Sequence, residues 1–493
     1  MPVHVLGWKD KLNVQRWFDD AMAEITQNGT TPVDRNCDDK FGQGYINRWK
    51  ASRKDVCTGG KSTFTCYEHP PHDHGSNIGS LFCTATNLVL AKTEDFLGDV
   101  LTKGARYPTP KKGSAQVACK LNVPWSRDQV ADQHSDRWLH DALDEVPEAQ
   151  LDAACSDPAR TVDYPVYFVT RMDPTNAFHH FEEVVNFFSA LLMYDDKELL
   201  KKQGITIVAF DGAPKGFFLE LWRRIAYPYR IRFLRERPYP ENTCFKQVLI
   251  AAMPHRSLYT HFWPGQRTGC RSAVMTGVIT WAQELMSDAR PEAYSWPDGQ
   301  HRQNEATVVG RVTWVSRKHF ETANRHSFTS WQAQRVIGNE DALVPRLAAA
   351  VQEWNSRSCL RNPGGGCRKE PVYFEFGTME LGDHRWYPDQ LQILARTSVL
   401  MAVHGAGCFN EVWLRRSTST MIEVLHNSAG NHHYANIAAM IGLPYIDMGS
   451  AHDPDTLAAR LTQAMDETAV RMAAVHERKM AADKDAAAML RGG

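Results

Sequence analysis

From Pro165 onward the chain alternates short apolar runs with longer stretches of helical period. The pattern predicts a strand from Val166 to Thr170, a helix from Phe178 to Tyr194, a strand from Ile205 to Phe210, a helix from Phe217 to Ala226 and a strand from Gln247 to Ala251. A turn-rich stretch from Arg290 to Asn304 interrupts the alternation, which then restarts. Strands are predicted at Ala306 to Ser316, Val372 to Phe376, Val399 to Val403 and Met421 to Leu425. Between and after them come helices at Glu340 to Trp354, Pro388 to Arg396, Cys408 to Leu414 and Tyr434 to Ile441. Two α/β runs imply two parallel sheets, each with its own core. Residues 451–493 are rich in Ala and Met and read as an amphipathic helical tail capped by Asp453 or Asp455. Residues 1–125 lack such periodicity and read as a Cys-rich elaboration packed on a first domain (126–300), with a second domain at 301–450.

Composition narrows the function. The 493 residues carry 56 Lys plus Arg against 57 Asp plus Glu, a balance that argues against a nucleic-acid reader. The longest apolar stretch, around Val184 to Tyr194, falls short of the roughly 20 residues needed to cross a bilayer, so membrane attachment is expected only through an anchor absent from this chain. The eleven cysteines sit mostly in Gly- and Pro-rich contexts, which reads as an oxidised, luminal set. Cys359 with Cys367 and Cys244 with Cys270 are the expected bridges, and Cys408 is expected to stay reduced. Asn28-Gly-Thr30 is an acceptor sequon consistent with a lumen.

Ligands of open parallel sheets sit beyond the carboxyl ends of the strands. There the segment MAVHGAGCFNEVW carries an apolar strand into His404, Gly405, Ala406 and Gly407 and then into a helix start. Small residues and free amides suit a diphosphate, with His404 as a further donor; a tight turn whose glycines serve only packing is the other reading. Arg317 and Arg335 stand at a strand end and a helix start, where guanidiniums suit a diphosphate leaving group or are simply solvated. Glu423 closes a strand, as a ribose acceptor or as a salt-bridged carboxylate. In the first run, Asn176, His179 and Glu183 fall on one helical face, either as a catalytic cluster or as a buried polar network. Asp211 ends a strand and faces the same crevice or caps a helix. His69, His72 and His74 read as a surface loop. The Asp-x-Asp strings at 453–455 and 483–485 fall in the helical tail, so neither a metal site nor another cofactor is expected.

The blocks VTRMDPTNAFHHFEEVVNFF, VAFDG, ENTCFKQVLIAAMP, RVIGNE, MAVHGAGCFNEVW, MIEVLH and HHYANIAAMIGLPYI together resemble the family 61 glycosyltransferases, from Cys37 to about Asp447. The resemblance implies an α/β GT-B architecture of two Rossmann-like domains with a disulfide-rich N-terminal elaboration, and an inverting, UDP-sugar-dependent enzyme of the Golgi lumen, or alternatively the endoplasmic reticulum. NCDDKFGQGYINRW, FTCYEH and LFCTATNLVL look most like the core β-1,2-xylosyltransferases of N-glycan processing, whose donor is UDP-xylose and whose acceptor is a glycan or glycoprotein. NAFHHF is closer to the EGF-domain O-linked N-acetylglucosamine transferases. A glycan-binding relative without catalysis is the alternative from another class. Cys408, Glu411 and the long insertion between Arg317 and Arg335 depart from the family pattern. Inversion calls for a base opposite the departing UDP, and Glu183 is the expected base, with His179 orienting it or taking the proton and Asp211 in reserve.

Overall fold

The computed structural model describes residues 10–27, 34–69, 80–127, 138–252, 257–260, 266–287, 308–317, 337–357, 371–380, 387–424 and 430–491. The chain divides into two compact units, Met1–Trp263 with Cys270–Asp288, and Pro264–Gly269 with Ala289–Gly493. Both are mixed α/β units built on sheets with parallel strands.

In the first unit, β1 (Thr63–Glu68), β2 (Leu81–Leu90), β3 (Val166–Val169), β4 (Thr206–Ala209), β5 (Arg232–Phe233) and β6 (Thr243–Ile250) belong to one sheet that has ten strands among the described residues. Helix α1 (Ala177–Met193) follows β3, and α2 (Leu219–Ala226) follows β4. The spatial order β6-β3-β4-β5 is all parallel. The chain winds outward from β3 through β4 to β5, then returns to place β6 on the opposite side of β3. That reversal makes the carboxyl ends of β3 and β6 a topological switch point.

The segment expected as an elaboration is part of this sheet. β2 pairs antiparallel with β6 and β1 with β2. Phe64, Leu81 and Leu88 share one core with Val166, Phe168 and Val248. Strands β1 and β2 mix Thr, Cys and aromatics without clean alternation, which hid them from a periodicity reading. A long helix at Ala273–Ser287 was also unread: its polar residues, Thr276, Thr280, Gln283, Glu284 and Ser287, form only a narrow stripe on a largely apolar segment.

All four disulfides among the described residues lie in this unit: Cys37–Cys270, Cys57–Cys119, Cys66–Cys83 and Cys155–Cys244. The expected Cys244–Cys270 bridge is therefore corrected: each cysteine has a different partner. Cys244 on β6 meets Cys155 at the end of the helix Glu148–Cys155, and Cys270, just ahead of the helix Ala273–Ser287, meets Cys37 in the helix Arg35–Phe41, so tertiary packing of helices, not nearness in sequence, selects their partners. Cys66 and Cys83 stand directly opposite in the β1/β2 register. Cys359 and Cys367 lie outside the described residues, as does the Asn28 sequon.

In the second unit, β7 (Val308–Ser316), β8 (Val372–Glu380), β9 (Val399–Val403), β10 (Thr420–Val424) and β11 (Tyr445–Asp447) form an all-parallel sheet in the order β8-β7-β9-β10-β11. Its switch point lies between β7 and β9, the first and third strands. Helices α3 (Glu340–Ser356) and α4 (Pro454–Arg491) pack on this sheet. The expected tail, α4, is a layer of the core: Leu457, Leu461 and Met465 pack with Val312, Leu347 and Met401. Asp453 caps it by accepting the Thr456 amide at 2.9 Å, with Pro454 in the first helical position where its missing N–H costs nothing. Asp455 pairs with Arg346 of α3 at 2.7 Å. The first string that resembled a metal motif is thus a cap and an ion pair.

Candidate functional site

In the first unit β3 ends at Val169 and a loop, 170–176, delivers the chain to the start of α1. Arg171 in that loop is buried and occupied. Its Nη2 donates to Asp211 Oδ1 at 2.7 Å and its Nε to Asp211 Oδ2 at 3.1 Å. Its remaining donors reach the carbonyls of Ala213, Pro214 and Lys215. Asp211 also accepts the amides of Arg171 and Ala213. Both Asp211 oxygens are therefore spent on tying the ends of β3 and β4 together, so the reserve base presents none to a substrate.

Asn176, His179 and Glu183 do not form the single cluster expected. Asn176 sits one residue before the helix in extended backbone, φ −113°, and caps it by accepting the Phe178 amide at 3.1 Å. Glu183 is buried; its Oε1 accepts the Met172 amide at 2.9 Å, and its Oε2 lies 3.7 Å from His180 Nε2. Burial raises the Glu183 pKa well above the ordinary carboxylate range, with Arg171 opposing and Asp211 reinforcing the shift. His180 is held neutral, its pKa lowered by burial and by Arg171, while its Nδ1 accepts the Phe218 amide at 3.1 Å.

His179 is different. Every other residue of α1 is buried, and His179 alone keeps a side chain 23% exposed. Its Nδ1 lies 3.2 Å from Oε2 of Glu182, a buried carboxylate that the sequence reading passed over. Burial pulls the His179 pKa down, but the hydrogen bond and charge of Glu182, with a contribution from Asp173, outweigh it and leave the pKa raised. With Nδ1–H given to Glu182, the lone pair rests on Nε2. Arg106 and Asp173, 3.4 Å apart, complete the charged surroundings. The signal that could have found Glu182 was the i,i+3 spacing of His179-Glu182, repeated by His180-Glu183 one residue later.

In the second unit Arg317 follows β7 and His404 follows β9, so the two flank the switch point. Arg317 Nη1 donates toward the His404 carbonyl at 3.4 Å. Gly405 has φ +145°, a region that only glycine enters without strain. The predicted helix is a 3-10 turn, Cys408–Trp413. The amides of Cys408, Phe409 and Asn410 close onto the carbonyls of Gly405, Ala406 and Gly407 and are not available to a ligand. Among the described residues the amides of Gly405, Ala406 and Gly407 themselves have no backbone acceptor, so the amides this turn leaves unspent sit one turn earlier than expected.

Glu423 is also reassigned. Its Oε1 lies 2.5 Å from His404 Nδ1 and its Oε2 accepts the Tyr445 hydroxyl, so both oxygens are engaged and the side chain is fully buried. It orients His404 and offers no acceptor to a ribose. His404 is 2% exposed, and its ring packs edge-on to Tyr434. Glu411 in the 3-10 turn is buried with neither carboxyl oxygen hydrogen-bonded, and burial raises its pKa well above the ordinary range, Glu423 adding to the shift. Cys408 is free and buried, its thiol pKa raised chiefly by burial. Arg335 lies outside the described residues, as do His72 and His74. His69 belongs to no surface loop: it is buried and pairs with the Tyr45 hydroxyl at 2.6 Å.

No group of three or more His, Cys, Asp or Glu arranged to hold a metal ion occurs among the described residues. Among them, too, no helix is long and apolar enough to cross a membrane. A scan against protein-family models gave no match to the chain, and neither did a search of curated proteins.

Proposed function

We propose that the chain is an inverting glycosyltransferase of family 61, with GT-B organisation, that transfers xylose from UDP-xylose to the core mannose of an N-glycan in β-1,2 linkage. The observation that carries the proposal is the His179–Glu182 dyad: one accessible imidazole on an otherwise buried helix, at the sheet's switch point, backed by a buried carboxylate. In this reading the base is His179 rather than Glu183. Nε2 takes the proton of the acceptor hydroxyl as its oxygen bonds to the anomeric carbon. The bond from that carbon to the diphosphate oxygen breaks, and UDP leaves with the electron pair.

The second unit supports the donor half. The amides of Gly405, Ala406 and Gly407 and the Arg317 guanidinium converge on a switch point, the position where open parallel sheets bind nucleotides, and they supply positive charge to a leaving diphosphate. Arg335 is kept as a second guanidinium. Four disulfides suit an oxidising compartment, and we place the enzyme in the Golgi lumen.

The test is incubation with UDP-xylose, UDP-N-acetylglucosamine or UDP-arabinose against an N-glycan core and a folded EGF module, read by product mass. A pentose added to the N-glycan core supports the reading; an N-acetylhexosamine on the EGF module moves the chain to the other branch. No UDP release with any donor overturns catalysis altogether. Turnover is expected to survive EDTA, because the diphosphate charge is assigned to Arg317 and amides.

A further inference from the structure

Within fifteen residues of the first unit stand Arg223, Arg224, Arg230, Arg232, Arg235 and Arg237. They surround β5, which closes one edge of the main strand path. Arg223 and Arg224 pair with Glu220 at 3.4 and 3.5 Å. The other four have no carboxylate within ion-pair distance among the described residues. Arg230, Arg235 and Arg237 are exposed. Arg232 is fixed in place: its Nη1 donates to the carbonyls of Arg237 and Pro238 at 3.1 and 3.0 Å, and its guanidinium lies 3.9 Å from the Tyr239 ring centroid. The acidic groups near this edge include Glu220, engaged by Arg223 and Arg224, Glu236, engaged by Lys215 at 3.3 Å, and Asp163, close to Tyr164 and Tyr229.

Aromatic rings are interleaved with this charge. Tyr164 and Tyr229 stack at 4.1 Å and remain partly exposed, and Tyr227 is 52% exposed. Charged edge strands commonly serve to prevent edge-to-edge pairing, and Pro228, Pro238 and Pro240 suit that task as well. Edge protection accounts for charge of either sign; it does not call for one sign, for arginine in every case, or for exposed rings beside it. Uncompensated like charge on one edge repels itself and is offset when a polyanion binds. Guanidinium forks match sulfate and carboxylate oxygens, and tyrosine faces pack against sugar rings.

We infer that this edge, centred on Arg230, Arg232, Arg235 and Arg237, binds a linear anionic glycan bearing sulfate or carboxylate groups, at a site separate from the His179 dyad. A glycan is favoured over a nucleic acid because the same unit carries four disulfides and so belongs to an oxidising compartment. Arg230 and Arg237 make no side-chain contact that folding depends on, which makes Arg230→Ser with Arg237→Ser the informative variant.

The experiment is calorimetric titration of the full chain with a heparin decasaccharide at 0.15 M NaCl, beside a neutral oligosaccharide and a single-stranded DNA of similar length. Binding of heparin alone is expected, weakening steeply with salt, and the double variant should bind about tenfold more weakly or worse, equivalent to about 1.4 kcal/mol. Its melting temperature and its release of UDP from donor should be unchanged, so a loss of binding is read independently of the catalytic proposal. Absence of heparin binding, equal binding by the double variant, or DNA binding as tight as heparin would each overturn the inference.

Discussion

Burial raises the Glu183 pKa well above the ordinary carboxylate range, and its Oε1 accepts the Met172 amide. Glu183→Gln preserves that acceptor and nearly the same volume, so turnover is expected to stay within a few-fold of wild type. His179→Gln, by contrast, removes the proposed base, and kcat should fall by about 100-fold to 10,000-fold. A base must be deprotonated to act, so activity should rise with pH through an inflection above the ordinary histidine value, because Glu182 raises the His179 pKa. Glu182→Gln should move that inflection down, while a purely structural Glu182 would change stability and leave it where it was. The kcat/KM profile against pH of the three variants decides between the two glutamates. At Gly405, φ +145° admits no side chain without strain; Gly405→Ala should cost about 1–3 kcal/mol and weaken UDP binding, both measurable by melting and titration.

At the scale of elements, β3 and β9 were legible as short unbroken apolar runs, α1 as an apolar stretch too long for a strand, and α3 by apolar residues recurring at the helical period. The base at His179 was harder to read. Periodicity placed His179 beside Glu183 on a helical wheel, but α1 is enclosed on nearly every side, so the wheel has no solvent face and the hydrogen-bond partner depends on what packs over each turn. Disulfide partners escaped for a related reason: Cys37 meets Cys270 across a separation of 233 residues, which only the tertiary fold brings together. Helix α4 was read correctly as amphipathic, yet its apolar stripe closes a core. Leu461→Ala should therefore destabilise by about 2–5 kcal/mol, although Leu461 lies in what seemed a tail. Val470→Ala, on the same helix but 57% exposed, should stay within about 0.5 kcal/mol, and denaturant melts of the pair test whether α4 is core.

For the whole molecule, the two units differ in what holds them. Among the described residues the first unit carries all four bridges, spanning separations of 17, 62, 89 and 233 residues, while the sheet of the second is held by its parallel ladders and core packing. A bridge restricts the unfolded chain and contributes about 2–4 kcal/mol, so four together are comparable to the roughly 5–15 kcal/mol by which a typical domain is stable. Reduction should thus unfold the first unit while the second keeps its structure. A ligand that binds only the folded second unit stabilises it by mass action, about 2.7 kcal/mol when present at 100 times its Kd. Calorimetry with reductant should show the first unit's transition lost and the remaining one shifted upward by UDP. If UDP instead shifts the transition that reductant abolishes, the donor site lies in the first unit and the assignment of Arg317 and the Gly405 turn fails.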